Sequence, residues 1–187
     1  REHAKVVYDN GADRFQRTKN DWEMVDNCPV CNSNKKEFVF SRFGLDIYSC
    51  IDCTHKYMAP RIKFEVLENL YKDDKTASDI YTKKMQIEID EIKYNYGLEI
   101  IEKLNLKHNK IMDIGCGAGV FLKEAYKRGW QDCVGVDINE RYRDIYKKDK
   151  GVQFINRTFE GLSDNDLGED YDCISLWSVL EHLYDLK

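Results

Sequence analysis

The sequence predicts an α/β protein, in which a small cysteine-rich module precedes a parallel sheet with helices on both faces. Three observations predict this class. Two Cys-x-x-Cys pairs stand in the first third of the chain, strand and helix patterns alternate through its second half, and a glycine-rich turn joins the first of those strands to its helix. With 187 residues, of which 42% are hydrophobic and 34% charged, the chain can bury a core.

The cysteine pairs are separated by eighteen residues, a spacing typical of a four-cysteine zinc site. Strand patterns at 37–41 and 45–49, with a turn at 42–44, would take the chain out and back between them, so we predict a zinc ribbon. Two disulfides in a secreted domain are the alternative. The predicted Zn²⁺ ligands are Cys28, Cys31, Cys50 and Cys53.

The residues after each cysteine pair bear on the shape of the two turns. Such turns usually carry a glycine at this position, because the backbone there is left-handed, whereas this chain has Asn32 and Thr54. Asparagine tolerates that conformation better than threonine, so we expect the second turn to be distorted. His55 could replace a cysteine ligand, although a solvated turn histidine is the role we favour.

A helical segment follows the ribbon. A short helix is predicted at 64–71 and a long one at 82–104, with a polar loop or hinge at 72–79. In the long helix, apolar residues recur at intervals of three and four, the period of a helix with one apolar face. These residues are Met85, Ile89, Ile92, Tyr96, Ile100 and Leu104.

The glycine-rich turn follows the predicted strand 111–114. Gly115, Gly117 and Gly119 alternate with other residues, so the backbone can turn tightly and approach a ligand closely. A dinucleotide site would show the spacing G-x-G-x-x-G. The spacing here is G-x-G-x-G with Asp113 before it, which favours a nucleoside-bearing ligand that has an amine and a cationic centre. A tight turn without a ligand is the alternative.

The alternation after the glycine turn indicates a parallel sheet with right-handed crossovers. Its predicted elements are a helix at 120–128, a strand at 133–137, a helix at 140–148, a strand at 152–156 and a strand at 171–176.

Three segments carry a resemblance to a known family. Residues 113–119, 134–139 and 171–182 resemble, in this order, the motifs of class I S-adenosylmethionine-dependent methyltransferases. The resemblance implies a Rossmann-like sheet, present here in part, with strand order 3-2-1-4 and the cofactor outside the carboxyl ends of the strands. It covers most of residues 28–186.

The resemblance also implies a cofactor site. Asp137 is expected to bind both ribose hydroxyls, because a carboxylate offers two acceptor oxygens to a vicinal diol; a helix N-cap is the alternative. Phe159 is a candidate for stacking on the adenine. The cofactor-binding residues implied are Asp113, Gly115, Cys116, Gly117, Gly119, Asp137, Ile138, Phe159 and Trp177.

Catalytic candidates follow the last predicted strand. In relatives with a similar Val-Leu-Glu-His run this region borders the methyl group, so His182 is the first candidate for a general base, with Glu181 beside it. A structural role for both residues is the alternative. Tyr71 and Tyr81 are candidates for lid contacts with the sulfonium, and packing between helices is the alternative for each.

The expected function is methyl transfer from S-adenosylmethionine to a small molecule, such as a sugar or a biosynthetic intermediate. A zinc-containing rRNA base methyltransferase and a noncatalytic zinc-binding interaction module remain as alternatives. The net charge is −5, and residues 1–75 hold thirteen basic and thirteen acidic residues, which is a poor match to nucleic acid. No membrane-spanning run or signal peptide is apparent, so the cytoplasm is the expected compartment.

The resemblance further implies three more strands beyond residue 186, so we interpret the chain as a C-terminally truncated fragment. Its last strand would have an open edge, and we expect self-association through that edge or weak cofactor binding. Inactivity of the fragment alone is left open. The predicted parts are an N-terminal extension at 1–27, the zinc ribbon at 28–60, a helical linker or lid at 61–109 and the N-terminal half of the methyltransferase domain at 110–187.

Overall fold

The computed structural model describes residues 21–42, 45–147 and 151–184. Among these, residues 21–67 and 184 form one compact unit and residues 68–183 form a second, and each unit is described by itself. The domain boundaries given above stay predictions. Over the described residues, no helix has both the length and the apolar character needed to cross a bilayer.

The first unit is built from short antiparallel strands. The predicted hairpin is confirmed: strand Lys36–Arg42 pairs with strand Leu45–Cys50, which pairs in turn with strand Lys56–Met58. The pair formed by β1 and β5 was not predicted, because two-residue strands leave no periodic pattern. The predicted turn at 42–44 lies largely outside the described residues. The strands are β1 (Trp22–Glu23), β2 (Lys36–Arg42), β3 (Leu45–Cys50), β4 (Lys56–Met58) and β5 (Arg61–Ile62).

Three helices, α1 (Phe64–Lys72), α2 (Lys75–Tyr81) and α3 (Lys84–Glu102), come next along the chain. The first and third match the predicted helices. The predicted loop at 72–79 is wrong from residue 75 onward, because Asp74 starts a helix there. Its carboxylate accepts the backbone N–H of Ala77 at 2.9 Å, which satisfies one of the unpaired donors of the first helical turn.

The helix predicted from the period of its apolar residues, α3, is present, and its apolar stripe faces outward. The six side chains of the stripe are between 46% and 75% exposed. The opposite face is the buried one: it carries Leu98 and Gly97 and packs against α4 (Val120–Lys127). Gly97 makes room for an aromatic neighbour, since a Cβ atom there would lie 2.3 Å from the ring of Trp177. The period predicted the helix but not its buried face.

The second unit contains a four-stranded parallel sheet in the order Val152–Ile155 (β8), Asp132–Val136 (β7), Lys110–Ile114 (β6) and Cys173–Leu176 (β9). This order confirms the predicted 3-2-1-4 arrangement. Among the described strands β9 lies at an edge, where Ile174 and Leu176 are exposed. The remaining elements are β6 (Lys110–Ile114), β7 (Asp132–Val136), a 3₁₀ turn (Glu140–Tyr142), α5 (Arg143–Tyr146), β8 (Val152–Ile155), α6 (Asp164–Leu167), β9 (Cys173–Leu176) and a second 3₁₀ turn (Leu180–His182).

The sheet has a hydrophobic core on each face, because successive side chains of a strand point to opposite sides. Ile111 of β6 packs with Leu98 and Phe121 of the helices. Met112, the next residue, packs with Val134 and with partly buried apolar residues that include Leu167 of α6. Both faces are therefore covered, and the carboxyl ends of the strands stay together at one end of the sheet, where the candidate site lies.

Candidate functional site

The glycine turn is held against the tip of the neighbouring strand. The N–H groups of Gly115 and Cys116 both donate to the carbonyl of Val136, at 2.7 and 3.0 Å. All three glycines have positive φ, from 50° to 75°. A Cβ atom on Gly119 would lie 2.6 Å from the Tyr146 hydroxyl, whereas one on Gly117 would meet nothing closer than 4.0 Å. Gly117 therefore faces open space, and a ligand can approach its backbone.

Asp137 joins the tip of β7 to the glycine turn. One carboxylate oxygen accepts the N–H of Gly117 at 2.9 Å, and the other accepts the N–H of Asn139 at 2.8 Å. Asn139, and not Asp137, caps the 3₁₀ turn that follows, so the N-cap alternative for Asp137 is wrong. Each carboxylate oxygen can accept a second hydrogen bond. Asp137 therefore keeps acceptor capacity for a diol.

The two carboxylates at the strand tips differ in environment. Asp113 is 2% exposed, and burial raises its pKa to about 7, although the Ser175 hydroxyl, which donates to it at 2.7 Å, acts in the opposite direction. Burial also raises the pKa of Asp137, and its two backbone donors lower it. A cationic ligand group near these carboxylates would favour their ionised form.

Two other predicted cofactor residues point into the core. The Cys116 side chain is buried, and a Cβ atom on Gly135 would lie 2.7 Å from its sulfur. The Trp177 ring packs with Tyr94 and Phe121, with ring centroids 5.2 and 5.3 Å apart. Core packing explains both side chains, and a cofactor contact for either stays a prediction.

Ile138 and Phe159 lie outside the core. Ile138 is half-buried beside Asp137, and its carbonyl accepts the side-chain amide of Asn156 at 2.9 Å. The Phe159 ring is 36% exposed, so an apolar face is open to solvent. Their predicted cofactor contacts are untested.

The catalytic candidates Glu181 and His182 lie on the 3₁₀ turn after β9, and both are exposed. The sequence did not predict that His182 would meet Tyr71. The Tyr71 hydroxyl lies 3.2 Å from Nδ1 of His182, and the two rings meet edge to face. Burial raises the pKa of Tyr71. Tyr81, the second lid candidate, is an exposed residue at the end of α2.

Sequence reasoning missed two residues that support the glycine turn. The Tyr146 hydroxyl donates to the carbonyl of Gly117 at 3.2 Å, and its ring stacks on Phe154 with centroids 4.5 Å apart. Asn139 is 4% exposed and donates its backbone N–H to the Asp137 carboxylate at 2.8 Å. The sequence did contain signals for both residues. Asn139 stands two residues after Asp137, which follows a strand, and Tyr146 stands one helical turn after Tyr142.

The four cysteines of the first unit form a cluster. Their sulfur atoms all lie within 4.8 Å of one another, with separations of 3.6 Å for Cys28 and Cys53 and 3.5 Å for Cys31 and Cys50. A disulfide needs about 2 Å, so the disulfide alternative is wrong. Four sulfurs at about 2.3 Å from a tetrahedral zinc ion would lie roughly 3.8 Å apart. The cluster fits such an ion.

The two turns of the cluster have the same geometry. Asn32 and Thr54 have φ values of 63° and 62°, and each donates its N–H to the carbonyl of the first cysteine of its pair at 2.9 Å. The expected distortion of the second turn is therefore wrong. Thr54 adopts the left-handed conformation despite its branched side chain, which costs about 1 kcal/mol or more.

Comparison with known proteins identifies the second unit. The profile of a family described as "Methyltransferase domain" matches residues 82–187. The chain is also similar to ubiquinone biosynthesis O-methyltransferases of Pseudomonas fluorescens strain SBW25, at 28% identity over 128 residues, and of Pseudomonas putida strain GB-1, at 29%. Both alignments cover 66% of this chain and 51% of the relative, so the chain spans about half the length of these relatives.

Two solved structures show a more distant similarity. The magnesium protoporphyrin IX methyltransferase of Synechocystis PCC 6803 with bound SAH aligns with a TM-score of 0.44 and 17% identity, over 62% of this chain and 58% of that chain. The plantazolicin methyltransferase BpumL in complex with SAH aligns with a TM-score of 0.34 and 20% identity, over 60% and 49%.

Proposed function

Because this chain belongs to the methyltransferase domain family, we propose that it transfers the methyl group of S-adenosylmethionine to a small molecule. The observation that carries the proposal is the pair formed by Gly117 and Asp137. A carboxylate with spare acceptor capacity is fixed by the N–H of a glycine that faces open space. A ribose diol needs acceptors of this kind, and the adjacent backbone leaves room for the rest of the cofactor.

The other strand-tip groups fit further parts of the same cofactor. Asp113 is a buried carboxylate with Ser175 as a partner, and it suits the ammonium group of the amino-acid part. Phe159 offers an exposed ring face to the adenine. When bound, the sulfonium would supply an activated methyl group, with the neutral thioether as leaving group, so the protein would contribute mainly alignment of the two reactants.

A general base is needed where the acceptor must lose a proton, as a hydroxyl does. The Pseudomonas relatives are named as O-methyltransferases, and we propose an oxygen acceptor here as well. His182 is the proposed base, because a neutral imidazole nitrogen can accept a proton. If Nδ1 of His182 donates to the Tyr71 hydroxyl oxygen, Nε2 is left free to accept that proton.

The cysteine cluster is proposed to hold a structural zinc ion. Four sulfur ligands fill a tetrahedral shell and leave no open position for catalysis. Zinc would hold the two turns together in a unit whose buried core is small. Free thiols are also consistent with a reducing compartment, and we propose the cytoplasm.

Elemental analysis of the purified protein is expected to give one zinc per chain. Chelation should unfold the first unit and leave the sheet of the second intact. One zinc per chain with no structural change on its removal would contradict a folding role.

Calorimetric titration tests the proposed cofactor. S-adenosylhomocysteine is expected to bind with one site per chain, and NAD is expected to give no heat. Binding of NAD in its place would refute the methyltransferase assignment of the site. A salt-dependent shift of an rRNA fragment would favour the rRNA alternative over a small-molecule acceptor.

A further inference from the structure

We propose that Asn139 is a positioning residue that fastens helix α2 to the carboxylate proposed to grip the cofactor. Cofactor binding and the placement of α2 would then be coupled through one side chain. The inference rests on the proposed function, because it takes S-adenosylmethionine as the ligand of Asp137. It concerns a contact that the motif pattern of the sequence does not contain.

Asn139 is hydrogen-bonded through both polar atoms of its side chain and through its backbone N–H, all within the second unit. Its side-chain amide donates to the carbonyl of Asp74 at 3.0 Å, and its side-chain oxygen accepts the N–H of Arg141 at 3.1 Å. Its own backbone N–H donates to Asp137 at 2.8 Å. Because the side chain is 4% exposed, water cannot readily replace a lost partner.

The contact falls on the first hydrogen bond of α2. The carbonyl of Asp74 also accepts the N–H of Ser78 at 3.0 Å, so Asn139 donates to the carbonyl that begins the helix. A second link lies beside it, since Arg141 forms an ion pair with Asp73. The loop after β7 thus holds the start of α2 at two adjacent positions.

The same loop reaches the glycine turn. Asp137 accepts N–H groups from Gly117 on one side and from Asn139 on the other, and Asn139 continues to Asp74. A diol bound to Asp137 would therefore fix the carboxylate that accepts the backbone N–H of Asn139. Fixing Asn139 in turn holds α2, and a loosened α2 would weaken the hold on the cofactor by the same factor.

Asn139→Ser should remove the hydrogen bond to α2 and keep the N-cap of the 3₁₀ turn. Serine is a good N-cap, so it can still accept the N–H of Arg141, and it adds no charge beside Asp137. Its hydroxyl is too short to reach the carbonyl of Asp74. Asn156→Ser is the matched control, because the side-chain hydrogen bonds of Asn156 run to the carbonyls of Asp137 and Ile138 and to Arg143, and none of these bonds reaches α2.

Two readouts decide the proposal: the affinity for S-adenosylhomocysteine, and hydrogen exchange of the backbone amides from Ser78 to Thr82. We expect Asn139→Ser to weaken binding about tenfold. We also expect it to speed exchange of these amides about tenfold without added ligand, with no change in α4. The ligand should slow exchange of α2 in the wild type and not in this variant.

Asn156→Ser should weaken binding and leave exchange of α2 unchanged. If Asn139→Ser fails to fold, Arg141→Gln provides the second variant. It removes the ion pair to Asp73, keeps the backbone N–H, and should speed exchange of α2 about threefold.

Unchanged exchange of α2 in Asn139→Ser or Arg141→Gln would overturn the proposal. Equal acceleration throughout the second unit would do the same, because it would indicate a general loss of stability. A wild type that binds no S-adenosylhomocysteine would refute the proposed function, and it would refute the coupling with it. The ligand-free exchange comparison would still decide whether Asn139 fastens α2.

Discussion

Replacing Gly117 by alanine should weaken cofactor binding strongly at a small cost in stability. A Cβ atom there meets nothing closer than the Tyr142 ring at 4.0 Å, so the protein itself has room for it. The φ value of 50° costs an alanine roughly 1–2 kcal/mol, and the lower entropy of the unfolded chain offsets about 0.4–1 kcal/mol of this. The expected net loss in unfolding free energy is about 1 kcal/mol.

The added methyl group would stand in the space through which we propose that the cofactor approaches the backbone. We expect the affinity for S-adenosylhomocysteine to fall at least 100-fold, which corresponds to about 2.7 kcal/mol. Stability and binding would therefore respond very differently to this substitution.

Gly119→Ala provides the matched comparison. Its Cβ atom would lie 2.6 Å from the Tyr146 hydroxyl and 2.8 Å from its ring. That ring is buried and stacked on Phe154, so it cannot move freely. Overpacking together with positive φ should cost roughly 3 kcal/mol of unfolding free energy.

The assay is urea unfolding followed by circular dichroism, together with calorimetric titration of the folded variants. Gly119→Ala should lose more stability than Gly117→Ala. A Gly117→Ala protein that binds S-adenosylhomocysteine as tightly as the wild type would refute the proposed path of the ligand. A larger stability loss for Gly117→Ala than for Gly119→Ala would refute the steric reasoning.

Two further predictions concern stability. Thr54→Asn should stabilise the zinc-loaded first unit by about 1 kcal/mol, and Asn32→Thr should destabilise it by a similar amount, since both positions have φ near 60°. Zinc release during urea unfolding measures both effects. Equal urea midpoints for the wild type and the two variants would contradict the argument. Burial raises the pKa of Asp113 to about 7, above an unfolded value of about 3.9, so its contribution should weaken stability as the pH rises from about 4 to 7. Asp113→Asn should remove that part of the decline in urea unfolding, and an unchanged pH slope would contradict the assignment.

Local patterns predicted the elements well where one signal dominated. The alternation of strand and helix patterns predicted a parallel sheet, because right-handed crossovers leave few arrangements, and the resemblance to class I methyltransferases implied the strand order that is observed. The cysteine spacing predicted the cluster for a similar reason: only two tight turns can bring two such pairs together.

Features that depend on tertiary contacts were not predictable. The apolar period of α3 predicts a helix, but it does not determine which face of the helix is buried. That depends on tertiary packing, such as the packing of Gly97 against Trp177. The start of α2 depends on Asp74. Its carboxylate accepts the N–H of the nearby Ala77, and its carbonyl accepts the side-chain amide of Asn139, which is 65 residues away in the sequence. A polar stretch gives no sign of such a distant contact.

The site shows the same division. Motif spacing and the family resemblance pointed to Asp137 and the glycines, and the structure places Asp137 against Gly117, while their cofactor contacts stay predictions. Other contacts form only when separate elements come together in the fold. They are the contacts of Tyr146 with the glycine turn, of Asn139 with Asp74 and of Tyr71 with His182.

The central claim, that Asp137 binds the ribose diol of an adenosyl cofactor, is tested most directly by one comparison. The affinities of S-adenosylhomocysteine and its 2′-deoxy analogue are measured calorimetrically on the wild type and on Asp137→Asn. We predict that the wild type prefers the intact diol by about tenfold or more and that the variant largely loses this preference. Equal affinities on the wild type, or an undiminished preference in the variant, would contradict the claim.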